Sequence, residues 1–270
     1  MKRLLTIFTL IALSLITYHL SLKSSLSQDF DYSRAYNDYV YNYNLYRSAH
    51  LDYVAAKTEY HTYGTLTAKT KAIQTTRKLL HQRAEALKTY LTALRMKLHE
   101  ETGITSYKQN LYFIKLDDEV AWLSQHQSNL TTPSTVEDLL AESKRLEDRY
   151  PQILIISYQT LGAVLEGRQD FLRDDVNQLI ETTGQKIEEI RNSGEDTTTL
   201  ERWLIEAKQK VTLSEEKQSQ AVNVLGAIDP WSREMSNSFN QARHLLEESN
   251  QYLKEGVTFL KEIIREIKRA

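Results

Sequence analysis

Beyond residue 30, apolar and aromatic residues return at alternating spacings of three and four, which gathers them on one stripe of an α-helix. The most regular run is the last. From Leu200 to Ile267 the alternation passes through twenty positions, and fifteen are apolar in a chain that is 41% hydrophobic. One long helix over 194–270 with a coiled-coil seam is therefore predicted. Asp229-Pro230 falls inside it, yet the stripe keeps its phase on both sides. A reversal there has no evident reason to preserve register, so a kink is expected. An interior proline costs ~3 kcal/mol, and each buried Leu or Ile returns roughly 1.5–3 kcal/mol.

The first long segment, 28–104, holds no proline and, before its end, a single glycine at Gly64. Its opening stripe reads Tyr32, Tyr36, Tyr39, Tyr43, Tyr46, His50, Tyr53, Lys57 and Tyr60. A second stripe follows through Leu80, Ala84, Leu87, Leu91, Leu94 and Leu98, with Leu66 and Ile73 earlier on the seven-residue spacing. The two registers differ by one residue, so the helix is expected to kink or its supercoil to adjust near Gly64. As one rod it would measure ~105 Å.

Glu101-Thr102-Gly103-Ile104 reads as a helix stop with Gly103 in the left-handed position. The segment 105–193 then predicts a short helix opened by a Ser106/Gln109 capping box, its buried side carried by Leu111, Ile114, Ala121 and Trp122. A long helix kinked at Pro151 follows, opened by a Ser134/Glu137 box. Ile153 to Leu165 is apolar on more than one side, as a helix embraced by two neighbours would be. Asn192-Ser193-Gly194-Glu195-Asp196 marks a turn, with Thr198/Glu201 as the next cap. The resulting fold class is all-α: an elongated antiparallel bundle or coiled coil of three to four long helices. It has three helices if the short one runs with its successor, four if it doubles back.

Ahead of this body, Lys2 and Arg3 precede an apolar run from Leu4 to Ile16 that weakens toward Leu22, with Ser25 and Ser27 before Gln28. Residues 1–27 thus read as a signal peptide or, uncleaved, as a signal anchor that holds the chain to the membrane. The rest is expected outside the cytoplasm, periplasmic, extracytoplasmic or membrane-anchored facing outward. The stretch from Phe30-Asp31-Tyr32 to Tyr60, with its Ala35-Tyr36-Asn37-Asp38-Tyr39 and Ala49-His50-Leu51-Asp52-Tyr53 units, resembles uncharacterised exported helical proteins of small-genome, candidate-phylum bacteria. That resemblance implies a compartment and no activity.

Composition narrows the function classes. Eight glycines and three prolines in 270 residues are too few for the turns of a compact α/β enzyme. No cysteine is present, which removes disulfides and thiolate chemistry. A net charge of −2 offers nucleic acid no field. The histidines His19, His50, His61, His81, His99, His126 and His244 match no metal-binding spacing, and no phosphate loop or nucleophile elbow occurs. No cofactor is expected.

Two features remain. The tyrosine row, with Tyr36, Tyr39, Tyr43, Tyr46 and Tyr53 as candidate contacts, reads either as a wide packing seam or as a surface for a glycan or peptide. Between Lys69 and Lys97 there are eight cations and one acid, whereas Glu166 to Glu206 holds eleven acids and five cations. Arg77, Lys78, Arg83 and Lys88 are the candidates for an anionic envelope polymer or acidic partner, set against internal pairing. The expected function is a non-enzymatic envelope scaffold, spacer or adaptor that associates with a protein partner or itself through heptad stripes. The alternatives are a binding module using the tyrosines or the basic helix, and a helical enzyme without a recognisable motif.

Overall fold

A computed structural model describes residues 31–130, 135–229 and 231–269; the segment 1–27, expected to be a signal or anchor, and Pro230 lie outside them. Within the described residues the chain is all-helical: α1 (Tyr32–Tyr63), α2 (Leu66–His99), α3 (Ser106–Asn129), α4 (Val136–Asn192), α5 (Thr198–Gly226) and α6 (Met235–Arg269). Two of the predicted long helices are hairpins.

The first break is at Gly64, where φ is 61° and the N–H returns to the Tyr60 carbonyl. Only glycine takes that left-handed conformation without a Cβ penalty. Thr65 then caps α2 by accepting from the Ala68 N–H. The joint is two residues long and the chain doubles back, so Lys78 meets Asp52 at 2.9 Å and the Tyr39 and Tyr90 rings lie 5.3 Å apart. The expected ~105 Å rod does not form.

Among the described helices α1 packs on α2 alone. What it buries there is Ala35, Ala49 and Ala56. Its seam therefore alternates small residues with the half-buried tyrosines 32, 39, 46, 53 and 60. Tyr36, Tyr43, His50 and Lys57, assigned to that seam from sequence, lie one step around the helix and are exposed. Leu66, placed on the α2 stripe, is also exposed, while Leu80, Ala84, Leu91, Leu94 and Leu98 are buried as expected.

Thr105, one residue before the expected cap, opens α3. α3 runs antiparallel to α4, as the pairs Lys108–Glu166, Arg149–Glu119 and His126–Glu142 show. Its buried line is Leu116, Glu119, Leu123, His126 and Leu130, with Tyr112 partly covered; Leu111, Ile114 and Ala121 face outward. Gly103 has no positive φ. Its role is contact: a Cβ there would overlap the Gly167 carbonyl, so the α2–α3 corner presses directly on the α4 backbone.

α4 is the spine. It spans 57 residues, or ~85 Å, and continues through Pro151. Its N-cap is Thr135, in a reciprocal box with Asp138, one residue after the position expected. Leu146, Ile153 and Ile156 join the core formed with α2 and α3, while Leu154, Ile155, Tyr158 and Leu165 pack against the α5–α6 corner. Ile153–Leu165 is thus covered from two sides, as its all-round apolarity predicts. Farther along, Val176, Ile180 and Ile187 pack against α5 and α6.

α5 and α6 are antiparallel, which corrects the expected kink at Pro230. Lys210 pairs with Glu255 at 2.7 Å and Lys217 with Glu248 at 2.6 Å. Asp229 turns the corner, accepting from the Trp231 N–H through Oδ1 and from the Ser232 N–H through its carbonyl. The seam predicted from sequence is nevertheless the one observed, since Leu225, Ile228, Met235 and Phe239 meet in one cluster. Its small and polar positions have a purpose. Ser214 and Ser249 hydrogen-bond each other at 2.9 Å, and a Cβ on Gly256 would stand 3.3 Å from the Ala207 carbonyl. These positions let the two backbones close up. Thr197, not Thr198, precedes α5; it makes no side-chain cap, and its hydroxyl donates to Glu201.

The close approach at Gly103 yields a prediction. Gly103→Ala should lower unfolding free energy by about 1–3 kcal/mol through overpacking, while Gly226→Ala, with open space around it, should stay within about 0.5 kcal/mol of wild type. Urea denaturation followed by circular dichroism measures both.

Candidate partner-binding surface

The tyrosines of α1 form a continuous ladder. Ring centroids step from Tyr32 to Tyr36 (5.8 Å), Tyr39 (6.1 Å), Tyr43 (5.9 Å), Tyr46 (6.2 Å), His50 (6.4 Å) and Tyr53 (6.3 Å). All steps fall within the range in which tilted aromatic pairs attract. A cation closes each end: Lys97 Nζ lies 4.9 Å from the Tyr32 ring and Lys57 Nζ 5.8 Å from the Tyr53 ring.

The ladder has an inner and an outer rail. Tyr39, Tyr46 and Tyr53 lean over the alanine seam, and burial raises the Tyr39 hydroxyl above its ordinary pKa. Beneath it, burial pushes Tyr90 up to about 12, against a Ser157 hydrogen bond acting the other way. Tyr36 and Tyr43 form the outer rail at 46% and 43% exposure, next to exposed Val40, Leu51 and Val54. One rail packs and the other is exposed.

The four basic candidates do not converge. Lys78 reaches α1 at Asp52, the Arg83 guanidinium sits 5.9 Å from the Tyr150 ring on α4, and Lys88 bonds Glu85 and Gln127 of α3. Arg77 is half-buried, with its Nε lacking a hydrogen-bond partner. Lys78, Arg83 and Lys88 thus tie α2 to α1, α4 and α3 in turn. Of the remaining cations, Lys71, Arg95 and Lys97 pair with Glu59, Asp117 and Glu100. The pairing is local, not with the acids of 166–206.

A second cluster escaped the sequence reading. His126 is 3% exposed and its Nδ1 lies 3.0 Å from Glu142, while Trp122 stacks on its ring at 5.4 Å. Arg149 grips Glu119 through two hydrogen bonds of 2.9 and 2.8 Å, with its guanidinium 5.6 Å from the Trp122 ring. Beside them, Trp122, Arg145, Asp148, Arg149, Gln152 and Trp231 line an open concavity of about 610 Å³. A histidine held by a carboxylate is half of a general-base arrangement. Around His126 the residues lining the small cavity are Trp122, Gln125, Asn129, Glu142 and Arg145, none of them a hydroxyl or amine nucleophile. The sequence signal was present, since Glu119, Leu123, His126 and Leu130 keep the 4,3,4 spacing, but polar residues occupied two seam positions.

Among the described residues no group of three His, Asp or Glu side chains could hold a metal ion, and no helix is long and apolar enough to cross a membrane. No family model, curated protein or solved structure matches the chain.

Two predictions arise here. Tyr36→Ser and Tyr43→Ser should shift stability by no more than about 0.5 kcal/mol, whereas Tyr39→Ala should cost about 2–4 kcal/mol by stripping the α1–α2 seam and uncovering Tyr90; thermal melts distinguish them. Burial holds the His126 pKa below its ordinary value, with Glu142 pulling the opposite way. The unfolded chain then binds the proton more readily, so stability is full above the unfolded pKa of about 6.5 and falls as pH drops through it. The melting temperature should decline as pH falls below about 6.5, and His126→Leu should flatten that decline.

Proposed function

We propose that this chain is a non-catalytic helical scaffold or adaptor, exported to the cell envelope, whose α1–α2 hairpin supplies the contact surface. One observation carries the reading. Among the described helices α1 packs on α2 alone, yet it bears exposed Tyr36, Val40, Tyr43, Leu51 and Val54 in addition to the residues it buries. A helix that spends apolar and aromatic side chains on water is most simply explained by a partner that covers them. The body behind it suits support, being antiparallel seams on a 57-residue spine. Export is supported by the cationic and then apolar opening of the chain, with the membrane as anchor if that segment is retained.

The open rail also favours a second reading, a binding module for a glycan or another ligand that stacks on aromatic faces. Tyr36 and Tyr43 present ring surface next to exposed apolar residues, as such a platform requires.

Photo-crosslinking in intact cells tests the adaptor reading. A benzophenone side chain at position 43 should give a discrete protein adduct, and one at exposed position 219 on α5 should not. No protein adduct at 43 contradicts the adaptor; a position-43 adduct with glycan supports the second reading. A cysteine introduced at exposed Thr258 should react with a membrane-impermeant thiol reagent before the cells are opened. Protection until lysis contradicts export.

A further inference from the structure

The hairpin outreaches its supports. Its register pairs Lys71 with Glu59 and Lys78 with Asp52, so α1 from residue 50 onward lies against α2 up to about residue 79. The first α2 residues clustered with α4 are Ile73 and Leu80, which meet Leu139 at the start of α4. Residues 50–79 therefore form a two-helix arm at the N-terminal end of α4, touching it among the described residues through Ile73. A pair of helices with so narrow an alanine seam buries little, and the arm still exposes Leu51, Val54, Tyr63 and Leu66. It carries five cations (Lys57, Lys69, Lys71, Arg77 and Lys78) against two acids, Asp52 and Glu59, a net of three positive charges.

A complementary face lies at the other end of the spine. The α2–α3 corner abuts α4 at Gly167 and Arg168, and beyond that point α4 packs, among the described residues, on α5 and α6. On the uncovered side, Phe171, Asp174, Gln178, Glu181, Gln185 and Glu188 follow one another at three- and four-residue steps, and all six are exposed. Glu188 pairs with Arg191. Asp174 and Glu181 have no ion pair within 4.0 Å among the described residues, and Phe171 and Leu172 are each 40% exposed. The stripe is acidic with an apolar start, and the arm is basic with an apolar flank.

The geometry points to a second copy of this chain as the occupant of the arm: the 50–79 arm of one copy lies on the 171–188 face of α4 of another. The lengths agree, since fourteen residues of α1 in the arm span ~21 Å and the α4 stripe of eighteen residues ~27 Å. Arm and face stand at opposite ends of α4, so one copy does not bring them together within itself. Two copies side by side and antiparallel make the contact twice, which closes a two-fold dimer. The inference rests on the scaffold reading and names its partner.

A charge exchange tests it on the full chain in a non-ionic detergent, with mass measured by light scattering at low salt. Lys57 and Lys69 carry no ion pair among the described residues, so reversing them leaves the hairpin's own bridges intact. Wild type should be dimeric and should dissociate as salt rises. The double variants Lys57→Glu/Lys69→Glu and Asp174→Lys/Glu181→Lys should each be monomeric and fully helical. Mixed together they should associate again, because each then meets the opposite charge. Overturning results are a monomeric wild type, association indifferent to both variants, or loss without recovery on mixing. An anionic ligand on the arm would produce the last of these, with Lys57→Glu/Lys69→Glu losing it and Asp174→Lys/Glu181→Lys keeping it. A hairpin that still crosslinks a different protein at position 43 would then leave the adaptor reading standing without this partner.

Discussion

Every part of this fold depends on excluding water from a narrow stripe that advances by threes and fours, and on the chain turning back so that each stripe meets another. No single helix here could hold itself by propensity alone; tertiary burial of an apolar face does most of the work in globular helices. α4 shows the constraint most clearly. Ile153 and Ile156 belong to a core shared with α2 and α3, while Leu154, Ile155 and Tyr158 belong to one shared with α5 and α6. That overlap joins the two sets of helices across a single spine, and Pro151 is tolerated inside it because packing on both sides offsets the lost hydrogen bond.

The stripes were legible in the sequence, but the direction of the chain was not. An alternation of threes and fours read backwards is still an alternation of threes and fours. The seam from Leu200 to Ile267 therefore looks the same whether the helix continues or reverses at Asp229, and continuity of phase carried no information about a kink. At Gly64 the clue was a one-residue shift of register, which a hairpin explains more simply than an adjusted supercoil. The α1 seam was read one step off because tyrosine is the larger and more conspicuous side chain, whereas packing chose Ala35, Ala49 and Ala56 for their small size. α3 hid its seam differently, placing Glu119 and His126 where leucines are expected and satisfying them with Arg149 and Glu142.

The same reasoning explains how much of the candidate surface could be foreseen. The tyrosine row was visible, and its division into a packed and an open rail needed the position of α2. The basic run was visible too, but α2 is surrounded by three helices and distributes its cations among them. What remains unbalanced lies where coverage ends: at the arm beyond α4, and on α4 beyond Gly167.

The antiparallel α5–α6 seam is the most direct point of attack. The chain has no cysteine, so spin labels can be placed uniquely at exposed Gln209 and Thr258 and their separation measured by pulsed dipolar resonance. The reversal predicts a backbone separation near the ~8–10 Å of packed helices, with the labels adding their own length. A distance approaching the ~73 Å of one continuous helix over the same residues would contradict it.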